Sequence, residues 1–131
     1  MAEKPPFAPA FLRGVEHFNA LEFWEAHEAW EELWLVAGTD VEQFLQGLIQ
    51  VAAAYHHIKR GTYRGAVRLI DAGLARLTAF PERFCGLDRS HVESAARQHQ
   101  ASAAAGRGIA AGEYPKLEIV DPGAVPHHSD W

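Results

Sequence analysis

The stretch that decides the fold is VEQFLQGLIQVAAAYHHIKR, from Val41 to Arg60. On a helical wheel its apolar side chains cover most of the circumference, while its polar side chains form one narrow seam bordered by small residues. A helix that is apolar on most sides is buried on most sides, so we predict that this is the central helix of the domain. The polar seam contains Gln43, Gln46, Gln50 and His57, and its small neighbours are Gly47, Ala53 and Ala54.

Helical signals continue on both sides of this central segment. Phe11, Val15 and Phe18 recur at helical spacing, a second helix is stopped by Gly38, and a fourth begins at Thr62 and breaks at Phe80-Pro81. An alanine-rich fifth helix follows, capped by Asp88 or Ser90. Short connections favour antiparallel neighbours. The predicted helices cover about residues 10–19, 21–37, 41–60, 62–80 and 90–105.

The organisation predicted from these signals is a single all-α domain. We expect an antiparallel helical bundle or array of four to five helices over residues 10–110, after an irregular lead-in at 1–9. Residues 111–131 carry three of the seven prolines and only a weak strand-like KLEIV, which predicts an extended or partly disordered tail. Helix four has the small-residue rhythm of helical-repeat proteins, but no second copy is visible at the ~34-residue period of such repeats, which argues against a solenoid.

Composition narrows the classes of protein that this chain can represent. The 131 residues suit one domain, the net charge is −5, and there is one cysteine. A net negative charge disfavours nucleic acid as a partner. No stretch approaches the ~18 apolar residues of a membrane span, and neither a signal peptide nor a disulfide is indicated. We therefore expect a cytoplasmic protein without a membrane partner.

The second helix contains EFWEAHEAWEELW, residues 22–34, whose glutamates fall into two groups on the wheel. Three of them face solvent, whereas Glu28 and Glu31 fall among apolar side chains. A carboxylate in an apolar surrounding needs a partner, because removing an unpaired charge from water costs several kcal/mol. His27 is the nearest candidate, four residues before Glu31 on the same face.

The second helix and the polar seam of the third are predicted to face each other. Carboxylates on one helix complement amides and an imidazole on the other. The predicted cluster consists of His27, Glu28, Glu31, Gln50 and His57, covered by Trp24 or Trp34.

Three motifs together resemble the bacterial and archaeal domain-of-unknown-function family 309. They are FNALEFWEAHEAWEELW, FLQGLIQVAAAYHH and RGTYRGAVRLIDAGLARL, which span about residues 18–77. The resemblance implies a small, soluble, all-helical domain and no established activity. It places the family's histidine-glutamate pair on His27 and Glu28, and its GLIQ motif on residues 47–50. Thr62 stands where the family pattern favours asparagine.

Two interpretations of the predicted cluster remain open. In one, a divalent metal such as Zn, Mn or Fe is bound by His27, Glu31 and His57 in a hydrolase, with Glu28 as the general base. The HEAWE stretch has glutamate where a zincin motif has its second histidine, so it does not match that motif. In the other, the cluster is a buried polar network that fixes helix packing.

Basic and aromatic residues near the cluster leave similar alternatives. Lys59, Arg60, Arg64 and Arg68 could hold a phosphate or carboxylate, or could form a solvated turn. The tryptophans read as core residues, although Trp30 could mark a partner surface.

The function predicted from the sequence is a non-catalytic binding or interaction module. The alternative is a metal-dependent hydrolase or a small anionic-ligand binder that uses the same cluster. A small anion, a protein partner or a second copy of the chain fits the composition. The predicted ligand-binding residues are Gln50, Trp34 and Arg64, and the candidate catalytic residue is Glu28.

Overall fold

The computed structural model describes residues 6–126 and contains five α-helices in that range. The predicted all-α fold with an irregular tail is therefore confirmed. Residues 1–5 of the predicted lead-in and 127–131 of the tail lie outside the described residues. The helices are α1 (Phe7–Asn19), α2 (Phe23–Trp34), α3 (Thr39–Lys59), α4 (Tyr63–Leu77) and α5 (Ser90–Ala104).

Two helix boundaries differ from the prediction for identifiable reasons. Helix α1 begins at Phe7 and therefore includes Pro9, because a proline in the first turn lacks only an N–H that has no partner within the helix. Helix α2 begins only at Phe23, because Leu21 has a left-handed backbone with φ of 64°. That conformation is incompatible with a helical residue.

The helices form an array in which each packs mainly on its neighbours in sequence. Helix α1 packs on α2, α2 on α3, α3 on α4 and α4 on α5, with the α3–α4 contact the most extensive. The core holds the largest fully buried side chains, including Trp30 of α2 and Tyr55 of α3. The prediction that the third helix is central is confirmed.

The turns after α1 and α3 have the same construction. In the first, the Glu22 N–H donates to the carbonyl of His17 at 2.8 Å, and His17 Nδ1 lies 3.0 Å from Glu22 Oε1. In the second, the Thr62 N–H donates to the carbonyl of His57 at 2.9 Å, and His57 Nδ1 lies 2.8 Å from Thr62 Oγ1. Each residue of the second turn follows its counterpart by 40 positions.

The two helix hairpins, α1–α2 and α3–α4, share this turn construction, and many of their buried positions correspond at the same offset. The residues at these positions differ, and the prediction against a solenoid stays a prediction. Pairs of buried positions at this offset include Phe11/Val51, Gly14/Ala54, Val15/Tyr55, Phe18/Ile58, Ala26/Ala66, Trp30/Ile70 and Leu33/Gly73.

The tail packs on the helical array through a small antiparallel sheet. Strands β1 (Arg83–Phe84) and β2 (Leu87–Asp88) form a hairpin, and β3 (Glu118–Ile119) of the tail pairs with β2. Leu117 and Val125 are 4% and 2% exposed. Over the described residues the tail is thus extended and docked, with short 3₁₀ turns at Ala111–Glu113 and Pro122–Ala124.

Candidate functional site

The polar seam of α3 faces α4 instead of the predicted α2. Gly47 of α3 and Gly73 of α4 bring the two helix backbones into close approach. Gln43 and Gln50 lie one turn to either side of Gly47 on the same face. The prediction that small residues let another helix approach is confirmed, but the approaching helix is α4.

Arg76 of α4 is the residue that the seam holds. Its Nε donates to Gln50 Oε1 at 3.1 Å, and its Nη1 donates to Gln43 Oε1. Two amide oxygens therefore fix the plane of the guanidinium. The second terminal nitrogen, Nη2, makes no hydrogen bond in the part of the chain that the structure describes.

The charge of Arg76 has no counter-ion among the residues that the structure describes. Arg76 is partly buried, and no carboxylate of residues 6–126 lies within 4.0 Å of its guanidinium. Arg89, the other arginine that is not exposed, donates to Glu93 at 3.2 Å. Buried charges are normally paired, so Arg76 is the exception that needs an explanation.

A cleft of about 600 Å³ adjoins Arg76 between α3 and α4. This volume falls in the range of small-molecule sites. The walls are mainly apolar, and Asp40 is an exposed carboxylate among the lining residues. The cleft therefore combines one oriented cation with apolar surface. Its lining consists of Asp40, Gln43, Ala72, Ala75, Arg76, Ala79 and Phe80.

The predicted pairing of His27 with Glu31 is confirmed, with His27 Nε2 lying 3.2 Å from Glu31 Oε2. The prediction that Glu28 is buried was wrong, because Glu28 is exposed. The apolar side chains beside Glu28 on the helical wheel include Trp24 and Leu35, which are 46% and 69% exposed in the structure. The core face instead follows the buried residues Phe23, Ala26, Ala29, Trp30 and Leu33.

The predicted five-residue cluster does not assemble. Gln50 bonds to Arg76, and His57 bonds to Thr62 in the turn after α3. No group of three or more His, Cys, Asp or Glu side chains in residues 6–126 is arranged to hold a metal ion. The proposed ligands His27, Glu31 and His57 thus do not form one site, because His57 serves the α3–α4 turn while the other two pair along α2.

Trp24 forms an exposed aromatic surface on α2. Its ring stacks on His27 with centroids 4.7 Å apart and an interplanar angle of 12°, and the His56 ring is 5.2 Å away. Desolvation lowers the pKa of His56, and the nearby positive charge of Arg60 lowers it further. The prediction that tryptophans are core residues therefore fails for Trp24.

The other tryptophans and Arg64 are placed as follows. Trp30 is fully buried and donates from Nε1 to the carbonyl of Phe11 at 3.1 Å, so it does not mark a partner surface. The Nε1 of Trp34 is buried without a hydrogen-bond acceptor among the described residues. Arg64 is exposed and lines a second cleft, of about 410 Å³, between α4 and the end of α5.

Comparison with known proteins confirms the resemblance that the motifs predicted. Residues 11–69 match the family model Domain of unknown function (DUF309). An uncharacterized protein of Aquifex aeolicus (strain VF5) is 27% identical over 78 residues, which are 59% of this chain and 23% of that protein. The chain thus aligns with less than a quarter of that relative's length.

The DUF309 match begins within α1, covers α2 and α3, and ends in the first part of α4. It includes Gln43 and Gln50 but ends before Arg76. Sequence reasoning missed Arg76, although one signal was present: it follows Gly73 by three residues and so lies beside a small residue on the packed face of α4.

Among the described residues, none of the helices is both long enough and apolar enough to cross a membrane.

Proposed function

We propose that this chain is a non-catalytic binding module whose α3–α4 cleft holds a small organic anion. The observation that carries the proposal is the partly buried Arg76 guanidinium, which is oriented by two neutral amides and has no counter-ion within residues 6–126. A ligand carboxylate or phosphate would supply the missing negative charge.

The geometry of Arg76 suits this role. A guanidinium is a planar fork that binds a carboxylate or phosphate through two parallel hydrogen bonds. Gln50 accepts the hydrogen of Nε, and Gln43 accepts one hydrogen of Nη1. Both hydrogens of Nη2 and the second hydrogen of Nη1 are therefore left for the ligand. Charge-assisted hydrogen bonds of this kind contribute about 1.5–3 kcal/mol each.

The walls of the cleft define the rest of the ligand. Phe80 and three alanines offer apolar surface for a hydrocarbon or aromatic body. In this proposal Gln50 and Gln43 position Arg76 instead of providing the main contact to the ligand. Trp34 and Arg64, the other predicted ligand-binding residues, do not line this cleft and remain predictions. The metal-dependent hydrolase has no comparable support, because its proposed ligands make separate contacts.

The proposal is tested by ¹⁹F NMR with 4-fluorobenzoate as the anionic probe and 4-fluorobenzyl alcohol as its neutral counterpart. We expect the wild-type chain to bind the benzoate and Arg76→Met to bind it at least ten times more weakly. Arg68→Met is the matched control, because Arg68 is an exposed arginine of the same helix and forms no ion pair within the described range 6–126. Equal binding of the benzoate and the alcohol by the wild-type chain would overturn the proposal.

Gln50→Glu provides a second test that keeps the side-chain size. It places a carboxylate beside Arg76 and supplies the counter-ion internally. We expect at least a tenfold loss of benzoate affinity with the helical circular dichroism unchanged. If a folded Gln50→Glu chain binds benzoate as tightly as the wild-type chain, Arg76 is not the anion-binding group. This result decides the proposal even if Arg76→Met does not fold.

A further inference from the structure

The exposed large apolar side chains of the protein are concentrated at helix α2. Within residues 6–126 they are Trp24 in its first turn and Leu35 and Val36 directly after its last residue. Trp24 and Leu35 are 11 positions apart, which is about three helical turns, so they lie on one face. Single exposed apolar residues are ordinary, but several on one face are typical of an interaction surface.

Two buried polar atoms without a hydrogen bond border the same face. They are His27 Nδ1 and Trp34 Nε1, the buried side-chain nitrogen or oxygen atoms of residues 6–126 that have no partner. Buried polar groups normally have a partner, so the polar contacts of this face are incomplete in the single chain. We call this face the α2 stripe, and it consists of Trp24, His27, Glu31, Trp34 and Leu35.

The α2 stripe is complementary to itself when two copies run in opposite directions. Its outer members are the tryptophans Trp24 and Trp34, and its inner members are His27 and Glu31, which lie 3.2 Å apart within the helix. An antiparallel copy places Trp24 against the partner's Trp34. It also places His27 against the partner's Glu31. Such self-complementarity is what the interface of a two-fold dimer requires.

A line of charged residues on α3 runs beside the α2 stripe. Glu42 and Arg60 are 18 positions apart, which is about five helical turns, so they lie on one side at opposite ends of α3. His56, one turn before Arg60, lies on this side, and its ring is 5.2 Å from that of Trp24. Neither Glu42 nor Arg60 forms an ion pair within the described range 6–126.

These charges favour the same antiparallel arrangement. Trp24 at the start of α2 and Arg60 at the end of α3 line one cleft, so the two helices run in opposite directions. Glu42 therefore lies toward the other end of α2, where Leu35 is. When two copies pack antiparallel through the α2 stripe, Arg60 of each comes to the partner's Glu42. Complementary charges of this kind fix the orientation and register of an interface.

We propose that the protein forms a two-fold dimer in which the α2 stripe of one copy packs antiparallel on that of the other. The ion pairs between Arg60 and the partner's Glu42 set the register. Because Trp24 and Leu35 are exposed in the single chain, they contribute to association and little to the stability of each chain. The cleft beside Arg76 shares no residue with the α2 stripe, so dimerisation and anion binding can be tested separately.

Sedimentation velocity over a range of protein concentrations tests the dimer. We expect the wild-type chain to form a species of twice the 14.5 kDa chain mass, and Leu35→Asp to raise the dissociation constant at least tenfold. Leu35 is 69% exposed, so this variant should keep the fold, which circular dichroism checks. A wild-type chain that is monomeric at every concentration overturns the proposal, and so does a Leu35→Asp chain that associates as tightly as the wild type.

Exchanging the charges tests the orientation. Arg60→Glu and Glu42→Lys should each raise the dissociation constant about tenfold, because like charges then face each other in two places per dimer. An equimolar mixture of the two variants should associate nearly as tightly as the wild type, since each unlike pair is restored. Arg68→Glu, the same change at an exposed arginine of α4, is the matched control and should have no effect. A mixture of folded variants that associates no more tightly than either alone overturns the antiparallel arrangement.

Discussion

Gly47 of α3 and Gly73 of α4 meet backbone to backbone. A Cβ on Gly47 would lie 3.1 Å from the carbonyl oxygen of Gly73, and a Cβ on Gly73 would lie 3.0 Å from that of Gly47. The absence of a side chain at both positions lets the helices approach closely. This approach brings Gln43 and Gln50 within hydrogen-bonding reach of Arg76.

Alanine at Gly73 should destabilise the protein. Its Cβ would lie 2.9 Å from Val51 Cγ2 as well as against the backbone of α3, so the helices would have to move apart. We expect the free energy of unfolding to fall by about 1–3 kcal/mol, the usual cost of overpacking a core. Urea denaturation followed by circular dichroism measures the change.

Gly65→Ala is the control for this substitution. Gly65 also lies in α4, but the atom nearest to an added Cβ is His57 Cδ2 at 3.9 Å, an ordinary contact. Because alanine favours a helix over glycine by about 1 kcal/mol, this variant should be as stable as the wild type or more stable. If both variants lose stability equally, close approach at Gly73 is not the reason.

The two tryptophans of α2 should differ sharply in their contribution to stability. Trp30 is fully buried and hydrogen-bonded, whereas Trp24 is 46% exposed. We expect Trp30→Ala to cost about 3–5 kcal/mol and Trp24→Ala to cost about 0.5 kcal/mol, since an exposed side chain loses little contact. Urea unfolding of the two variants checks the order, and a similar loss in both would refute the placement of the α2 core face.

The hydrogen-bonded pair of the buried Tyr55 and the partly buried His99 should make stability depend on pH. Tyr55 Oη lies 2.7 Å from His99 Nδ1. Burial raises the pKa of Tyr55, with a further contribution from Tyr114, so the phenol keeps its proton and can donate it. Burial lowers the pKa of His99, an effect that Glu113 partly opposes, so the imidazole stays neutral and can accept.

A histidine with a lowered pKa binds fewer protons in the folded than in the unfolded state. The stabilisation that His99 contributes to the folded state is therefore complete above the ordinary histidine pKa of about 6.5. It is lost as the pH falls from that value toward the lower pKa of the folded state. Urea unfolding should give the wild-type chain a lower free energy of unfolding at pH 5.5 than at pH 7.5. The free energy of unfolding of His99→Gln should fall less between these two pH values, because glutamine cannot titrate. Tyr55→Phe should cost about 1 kcal/mol at pH 7.5. An unchanged pH dependence in His99→Gln would exclude His99 as the responsible group.

Patterns within a single helix predicted contacts within that helix correctly. The i, i+4 pair of His27 and Glu31 forms, and the apolar circumference of α3 does mark the central helix. The predictions failed where one helix had to be oriented against another. Glu28 was predicted among apolar side chains, but its apolar neighbours on the wheel include Trp24 and Leu35, which are exposed, as apolar side chains often are.

The sequence by itself determined the helices, their order, the central position of α3 and the resemblance to a known family, because helical periodicity, glycines and prolines act locally along the chain. Only the tertiary structure decided that the amides of α3 bind Arg76 of α4 and that the tail binds Asn19, 98 positions away. These contacts depend on the rotation and close approach of whole helices. Those quantities are set by how all the side chains pack together, which no local pattern encodes.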